Sequence, residues 1–294
     1  MIGVGLIGGS VALALRKRAL VDHVIGIGRT RRNLNDAIAA GIVDEAMTLD
    51  QPWTSSLRDA DVVLVATPVG QMQALFSAMA DTLGPSTVVT DAGSTKQDVV
   101  AAARNHLGSA LPRFVPAHPV AGTESSGARA ALASLFEGRN VIVSPLDETE
   151  PAAVARVRSF WESCGANVVG LDARRHDRVL AAISHLPHLL AAAYVAELAV
   201  RADAQDLFAH AGTGFRDFTR IAAASPEMWR DITLANLDAL VDEIAAFRGA
   251  LDVIESAMRE RDGESLRSLF ETASDARRAW GRGRDADTAG EGEA

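Results

Sequence analysis

MIGVGLIGGS, residues 1–10, places Gly3, Gly5 and Gly8 in a G-x-G-x-x-G pattern directly before an apolar helical stretch, Val11 to Leu15. The first glycine of such a pattern permits a tight turn, the second lets the backbone approach a pyrophosphate, and the third allows close packing of the helix. The N-terminal amides of that helix then face the phosphates. The segment Val24–Ile27 follows at the distance expected of the next strand, which completes a βαβ unit. The stretch therefore predicts a dinucleotide-binding fold, and a glycine-rich turn without a ligand is the alternative.

The strand before the glycine loop is unusually short in this sequence. Only Met1 and Ile2 precede Gly3, whereas a strand usually has about five or six residues. The first strand of such a fold lies in the middle of its sheet, so a shortened one leaves its two neighbours with fewer partners. We expect the natural start to lie upstream of Met1.

Composition narrows the classes of partner. The 294 residues are 48% hydrophobic and 23% charged, which suits two globular domains, and the net charge is −9. That charge argues against nucleic acid or an anionic membrane as the main partner, so we expect a small-molecule substrate held by a local basic cluster. Cys164 is the only cysteine, and no metal site is predicted. The apolar run Leu186–Val200 is too short to span a bilayer, and without a signal-peptide pattern we expect a cytoplasmic protein.

The first part of the chain alternates short apolar runs with helical patterns, which predicts an α/β fold with a Rossmann-type, doubly wound parallel sheet. The predicted strands after the first are Val24–Ile27, Val62–Ala66, Thr87–Thr90, Arg113–Ala117, Asn140–Ser144 and Asn167–Leu171. The helical patterns between them are Val69–Leu83, Thr95–Leu107 and Pro151–Ser163.

From Ala173 onward the pattern changes to alanine- and leucine-rich helices, which predicts an all-α C-terminal domain. The predicted helices are His176–Arg201, Glu227–Arg248 and Leu251–Arg261, the last stopped by Gly263. We therefore expect an NAD(P)-binding domain over 1–172, a helical substrate and dimerisation domain over 173–282, and a disordered tail over 283–294.

The segment after the second strand bears on the choice of cofactor. An acid there hydrogen-bonds the ribose 2′-hydroxyl, whereas an arginine accommodates a 2′-phosphate. Gly28-Arg-Thr-Arg-Arg32 has no carboxylate, so we place Arg29 beside the phosphate, with Thr30 and Arg31 as helpers. NADP is favoured, NAD is the alternative cofactor, and a solvated basic loop is the alternative interpretation. The other predicted cofactor-binding residues are Gly3, Gly5, Leu6, Ile7, Gly8, Thr67 and Pro68.

Two further segments follow predicted strands, at the sheet edge where open α/β sheets bind ligands. Asp91-Ala-Gly-Ser-Thr-Lys96 contains Ser94, which belongs to the cleft or caps the helix that begins near Gln97. His118 lies before a proline in His-Pro-Val-Ala-Gly, and imidazole is the side chain best suited to take a proton near neutral pH.

The helical part adds two more candidate groups. Ser184 and His188 are four residues apart and share a helix face, whereas His185 is expected on a different side, which disfavours a paired-histidine metal site. Arg216 and Arg220 are one turn apart, which suits a substrate with more than one carboxylate. A pair of surface salt bridges is the alternative.

Taken together, these segments resemble the prephenate/arogenate dehydrogenase family of tyrosine biosynthesis. The matching stretches, in the family's order, are GVGLIGGS (3–10), ATPV (66–69), DAGSTK (91–96), HPVAGTE (118–124), HDRVLAAISHLPH (176–188) and GFRDFTRIA (214–222).

The resemblance implies NAD(P)-dependent oxidative decarboxylation of a cyclohexadiene that carries a ring carboxylate and a 4-hydroxyl. It implies that His118 is the base and that Ser94 helps to orient it. Arg220 would hold the ring carboxylate, with Arg216 nearby. It also implies a homodimer formed through the helical domain. The remaining implied site residues are His188 and Ser184 at the substrate side chain and Thr123 and Glu124 at the cleft mouth.

Alternatives remain at this stage. Prephenate and arogenate differ by a keto against an amino group, which the sequence does not decide. A β-hydroxyacid dehydrogenase would need a lysine in the helical region, and no lysine follows Lys96. A nucleotide-sensing module without chemistry would need neither His118 nor two neighbouring arginines.

Overall fold

The computed structural model describes residues 1–123 and 125–290, the last eight of these by their backbone only. Glu124 and the final four residues lie outside the described part. The chain forms two compact units, Met1–Leu240 and Val241–Ala294.

The first unit contains a twisted parallel sheet with Ile2 in its centre. The sheet strands are β1 (Ile25–Gly28), β2 (Glu45–Thr48), β3 (Val62–Val65), β4 (Val88–Asp91) and β5 (Phe114–Val115). Ile2 pairs in parallel with β1 on one side and β3 on the other, so the order is β2, β1, Ile2, β3, β4, β5. The Ile2 amide donates to the Leu64 carbonyl at 2.8 Å and the Gly3 amide to the Ile27 carbonyl at 2.7 Å. The short first segment thus lies centrally, as the sequence predicts.

The prediction of one strand over Arg113–Ala117 is wrong, because the chain changes sheets at Pro116. Proline has no N–H to donate to a ladder. After it, β6 (Ala117–Pro119) pairs antiparallel with β7 (Asn140–Val143), and β8 (Asn167–Gly170) pairs parallel with β7. His118 therefore lies in β6, the first strand of this second, three-stranded sheet.

Helices cover both faces of the first sheet. On one face α3 (Met72–Met79) and α4 (Gln97–His106) bury Phe76 and Val99 against β3 and β4. On the other face lie α1 (Leu6–Lys17) and α5 (Pro151–Glu162). Their apolar sides, including Trp161 of α5, belong to a second buried cluster with residues of β3 and β4. The remaining helix of this part is α2 (Arg31–Ala39), which packs beside α1. Strand carboxyl ends and helix N-termini therefore meet along one edge.

A continuous helix follows β8 in place of the predicted His176–Arg201. It consists of α6 (Ala173–Leu180), one π-helical turn (Ala181–His185) and α7 (Leu186–Ala199). By length and composition this 27-residue helix could cross a membrane, with a mean hydropathy of 1.6 in its most apolar window, of which 28% is buried. This helix begins 13 residues before the apolar run Leu186–Val200. The unit continues with α8 (Ala204–Ala209), α9 (Thr213–Thr219) and α10 (Pro226–Ala235).

The last two helices differ from the predicted boundaries. Asn236 ends α10, and α11 (Leu237–Glu260) then runs without a break across the predicted gap after Arg248. Arg261 adopts a positive φ of 56° and Asp262 accepts the amides of Glu264 and Ser265, so Gly263 begins α12 (Gly263–Gly290). The predicted helix end at Arg261 lies within one residue of the end of α11, but Gly263 is the first residue of α12 and not the residue that stops α11. The helical backbone of α12 includes residues 283–290, for which composition predicts disorder.

Candidate active site

The glycine loop forms an open seat at the N-terminus of α1. Gly3 has a φ of +94°, and a Cβ there would lie 2.4 Å from the Ala66 carbonyl oxygen. A Cβ at Gly8 would lie 2.2 Å from the Gly3 carbonyl oxygen. A Cβ at Gly5, the N-cap, would meet no atom of the described residues within 4 Å. With no acidic residue in the first turn of α1, the amides of Leu6 and Ile7 form an N-terminal turn suited to an anion.

The Ala66–Val69 loop lies beside this seat at the carboxyl end of β3. The Thr67 methyl is 3.1 Å from the Cβ position at Gly3, and its buried Oγ1 has no hydrogen-bond partner among the residues that the structure describes. Pro68 precedes a 3₁₀ turn, Val69–Gln71. A buried hydroxyl without a partner is costly, and a dinucleotide in this seat would supply polar atoms for it. The residues present therefore fit a dinucleotide cofactor.

Arg29, Thr30 and Arg31 follow β1 directly, as predicted. Arg29 is exposed, and its Nη1 lies 3.2 Å from Oε1 of Glu227 in the first turn of α10. Arg31 donates to the Gln51 side-chain oxygen at 2.9 Å, and Thr30 is the exposed N-cap of α2. The arginine predicted to read a 2′-phosphate thus already faces an anionic group.

His118 belongs to a buried chain of three side chains. His118 Nδ1 lies 2.8 Å from His176 Nε2, and His176 Nδ1 lies 2.8 Å from Asp177 Oδ1. Their exposures are 8%, 0% and 0%. The short strand β6 supplies His118, and α6 supplies the other two residues. An edge strand of the second sheet therefore meets the long helix at this point.

Asp177 also caps α4. Its Oδ1 accepts the Lys96 amide and its Oδ2 the Gln97 amide, both at 2.8 Å. The alternative of Ser94 as the cap is therefore wrong, because the carboxylate comes from a helix 80 residues away. A carboxylate at a helix N-terminus is stabilised by the amides and the helix dipole.

A buried ion pair lies next to this chain. Lys96 Nζ is 2.5 Å from Asp91 Oδ2, and both side chains are completely buried. Asp91 Oδ1 also accepts the Ala117 amide at 3.0 Å, and its Oδ2 the Gly93 amide at 2.7 Å. The pair thus ties the β4–α4 loop, which carries Ser94, to the residue before His118.

The environment keeps the histidines neutral. Burial, followed by the electrostatic interactions with His176, Lys96 and His185, holds the pKa of His118 well below that of free imidazole. The pKa of His176 is also lowered, mainly by burial, against the opposing hydrogen bond to Asp177. Burial alone would raise the pKa of Asp177, but the hydrogen bonds from His176 and the α4 amides outweigh it and lower that pKa.

A second group of side chains surrounds Trp229 on α10. His188 stacks on the indole with ring centroids 3.8 Å apart, and His185 meets it edge-on at 6.0 Å. The prediction that His185 lies on a different side is therefore wrong, since His185 and His188 are three residues apart and both reach Trp229. Asn236 Nδ2 contacts His185 Nδ1 at 3.1 Å and donates to the Asp177 carbonyl at 2.8 Å, which links this group to the His118 chain.

The other predicted site residues lie on the π-helical turn, on α9 and the turn that follows it, and in the loop after β6. Ser184 is half-buried, and its carbonyl accepts from His188 Nδ1 at 2.9 Å. The turn Arg220–Ala223 packs against α7, the helix of His188. Arg216 is exposed, with its Nε 3.3 Å from Asp217 Oδ1. Thr123 is exposed and its hydroxyl accepts the Ser125 amide at 3.3 Å. Glu124 lies outside the described residues.

Sequence reasoning missed several residues of the site. His176 and Asp177 belong to the stretch 176–188, and the sequence gives them no role, because the arginines around them in α6 make the pair look like part of a solvated charged face. Asp91 and Asn236 give no signal either, because only the fold brings them to the site. Within the part of the chain that the structure describes, no group of three His, Cys, Asp or Glu residues is placed to hold a metal ion.

Comparisons with known proteins cover nearly the whole chain. The model described as the nucleotide-binding domain of prephenate dehydrogenase matches residues 11–170, and that of the dimerization domain matches residues 172–272. The prephenate dehydrogenase of Bacillus subtilis strain 168 is 36% identical over 279 residues, 94% of this chain and 74% of the relative.

A second curated relative and a solved structure are also similar to this chain. The cyclohexadienyl dehydrogenase of Zymomonas mobilis is 33% identical over 281 residues, 95% of this chain and 94% of the relative. The crystal structure of prephenate dehydrogenase from Aquifex aeolicus in complex with hydroxyphenyl propionate and NAD⁺ has a TM-score of 0.84 and 34% identity, and the match covers 92% of this chain and 94% of that one.

Proposed function

The chain belongs to the prephenate dehydrogenase family of oxidoreductases, and we propose that it converts prephenate to 4-hydroxyphenylpyruvate in the synthesis of tyrosine, with NADP favoured over NAD. The observation that carries the proposal is His118, a buried neutral imidazole at a strand end, engaged through Nδ1 and leaving Nε2 for a substrate proton.

The reaction removes a hydride and carbon dioxide from a cyclohexadiene, whose ring becomes aromatic. The bound nicotinamide accepts the hydride from the ring carbon that carries the hydroxyl. His118 Nε2 accepts the proton of that hydroxyl as its oxygen becomes a carbonyl. When the bond to the ring carboxylate breaks, its electron pair enters the ring and the oxygen becomes a phenolate, to which His118 returns the proton. No net proton is released, so the base acts as a shuttle.

Ser94 is proposed to help orient the substrate hydroxyl toward His118. It lies in the β4–α4 loop, which the Asp91–Lys96 ion pair fixes, and its backbone faces His185. A base of this kind contributes about 10²- to 10⁴-fold in rate. Its low pKa keeps it unprotonated, which a proton acceptor needs before each turnover.

Arg220 is proposed to hold the ring carboxylate, with Arg216 nearby and Thr123 and Glu124 at the mouth of the cleft. Guanidinium groups suit carboxylates because they donate two parallel hydrogen bonds. The side-chain pocket would be formed by His188, Ser184 and Trp229, and the buried indole Nε1 of Trp229 has no hydrogen-bond partner within the described part of the chain. Prephenate is favoured over arogenate because none of these three side chains carries the negative charge that would pair an ammonium group.

The cofactor preference rests on the loop after β1. Arg29, Thr30 and Arg31 lie there without a carboxylate, and a 2′-phosphate would replace Glu227 as the partner of Arg29. The pyrophosphate would lie on the glycine loop, over the open space at Gly5.

A homodimer in the cytoplasm completes the proposal. The relatives' matching domain is described as a dimerization domain, and α11 and α12 expose large apolar side chains including Leu251, Val253 and Phe270. The apolar helix over 173–199 carries the buried His176 and Asp177 of the site, so we assign it to the active site of the enzyme and not to a membrane.

The test is a two-by-two assay of the purified protein with prephenate or arogenate and NADP or NAD. Formation of the reduced cofactor is followed by absorbance, and the ring product is identified by chromatography. The proposal expects the highest kcat/KM for prephenate with NADP and one ring product per reduced cofactor. Turnover of arogenate alone would assign the other substrate, and reduction with neither would reject the function.

A further inference from the structure

We infer that His176 and Asp177 are positioning residues for His118, which hold its imidazole in the tautomer that leaves Nε2 unprotonated and aimed at the substrate. The inference rests on the proposed function, in which His118 is the base. It assigns a task to two completely buried polar residues that touch neither substrate nor cofactor in the proposed reaction.

The hydrogen-bonded row of side chains begins at the Asp177 carboxylate, which several hydrogen bonds hold in place. Asp177 Oδ1 accepts the Lys96 amide, its Oδ2 accepts the Gln97 amide, and its backbone carbonyl accepts Asn236 Nδ2, each at 2.8 Å. Both carboxylate oxygens therefore already accept hydrogen bonds from backbone amides at the start of α4. A carboxylate held in this way remains ionised, and it can only accept from the next group along.

The positions of the protons follow by elimination. Because Asp177 Oδ1 is an acceptor, the proton between it and His176 must lie on His176 Nδ1. His176 is neutral, so its Nε2 carries a lone pair. The short 2.8 Å contact with His118 Nδ1 then requires a proton on that nitrogen. His118 is neutral too, so its Nε2 is left with a lone pair.

The charges around the chain fit this assignment. The buried Lys96 ammonium, paired with Asp91, disfavours a second positive charge on His118 or His176 before substrate binds. Asp177 acts in the opposite direction and stabilises the imidazolium that exists while His118 holds the substrate proton. His185, in the π-helical turn, is a further buried imidazole near His176, and burial lowers its pKa to about 4, so it adds no positive charge.

The reversed tautomer would prevent the reaction. With its proton on Nε2, His118 would donate to the substrate hydroxyl and could not accept from it. A second-sphere acceptor fixes the tautomer of a functional histidine in this way elsewhere in protein chemistry, and loss of the correct tautomer costs several orders of magnitude in kcat in the serine protease example.

The experiment compares His176→Leu with His176→Gln. Leucine removes the acceptor for His118 Nδ1, whereas the glutamine oxygen can replace it. The matched control is His23→Gln, because His23 is half-exposed and pairs with Glu45 at 3.2 Å, outside the site. Long-range ¹⁵N–¹H spectra of the histidine rings report the tautomer directly, and the signals of His118 are those missing from His118→Asn.

The wild type and His23→Gln are expected to show His118 protonated on Nδ1, and His176→Gln to retain this form. In His176→Leu the Nδ1-protonated form should decline, and kcat should fall about 100-fold with KM within about threefold, since the base is lost but not the substrate contacts. His176→Gln should recover kcat to within about tenfold of the wild type.

Wild-type His118 protonated on Nε2, or an unchanged tautomer in folded His176→Leu, would overturn the inference. If His176→Leu does not fold, the wild-type spectrum and the kcat of His176→Gln decide it. If the wild type oxidises neither substrate, the proposed function is rejected while the ring spectra still test the tautomer.

Discussion

Replacing single glycines of the first loop should separate stability from cofactor binding. Gly3→Ala places a Cβ 2.4 Å from the Ala66 carbonyl oxygen at a φ of +94°. Such a backbone conformation costs a side chain about 1–3 kcal/mol, and the contact with a carbonyl in the centre of the sheet adds to it. A total of about 3 kcal/mol lowers Tm by about 6–12 °C.

Gly5→Ala should have the opposite profile. The residue has an extended backbone, φ −104° and ψ −156°, and the added methyl meets no protein atom within 4 Å. Stability should therefore be unchanged. The methyl instead occupies the space of the pyrophosphate, and loss of one hydrogen bond to a charged group costs about 1.5–3 kcal/mol. Affinity for NADP should fall about 10- to 150-fold.

Thermal unfolding and NADPH fluorescence titration measure the two quantities on the same samples. Gly170→Ala, where a Cβ also meets nothing, is the control and should change neither. The reasoning is refuted if Gly5→Ala binds NADP like the wild type, or if Gly3→Ala leaves Tm unchanged.

Three further predictions concern charge. Arg29→Ala should weaken NADP binding about tenfold or more and leave NAD binding nearly unchanged; an equal effect on both cofactors in titrations would contradict the role of Arg29. Arg220→Ala should raise KM for prephenate about tenfold with little change in kcat, and a normal KM would remove it from the substrate site. Because burial lowers the pKa of His118, His176 and, to about 4, His185, the unfolded chain binds more protons below pH 6.5. Tm should therefore fall as the pH falls from about 7 to about 5, and a rising Tm would show that these histidines are charged in the native protein.

Local sequence patterns predict much of the nucleotide-binding part of the fold. The spacing of Gly3, Gly5 and Gly8 predicts the loop because only glycine fits two of those positions, and this constraint is visible in the sequence. The sequence also predicts that Arg29 directly follows β1, since a strand followed by a turn fixes its location, and the structure agrees on that position. The neighbours Pro119 and Gly122 indicate His118 as a candidate base, and this role stays a prediction.

Long-range contacts explain what the sequence did not reveal. The change of sheet at Pro116 depends on β7, which is formed by residues further along the chain. The cap of α4 comes from Asp177, some 80 residues away, and no local rule predicts such a partner. Trp229 meets His185 and His188 only because α10 packs against the long helix, a contact between elements about 40 residues apart.

The most direct test of the central claim is the steady-state kinetics of His118→Asn with prephenate and NADP. Asparagine keeps a polar side chain at the strand end but has no lone pair basic enough to take the hydroxyl proton. We expect kcat to fall by at least about 100-fold while KM changes little, in a protein with the wild-type Tm and NADP affinity. A kcat within about threefold of the wild type would show that another group removes the proton.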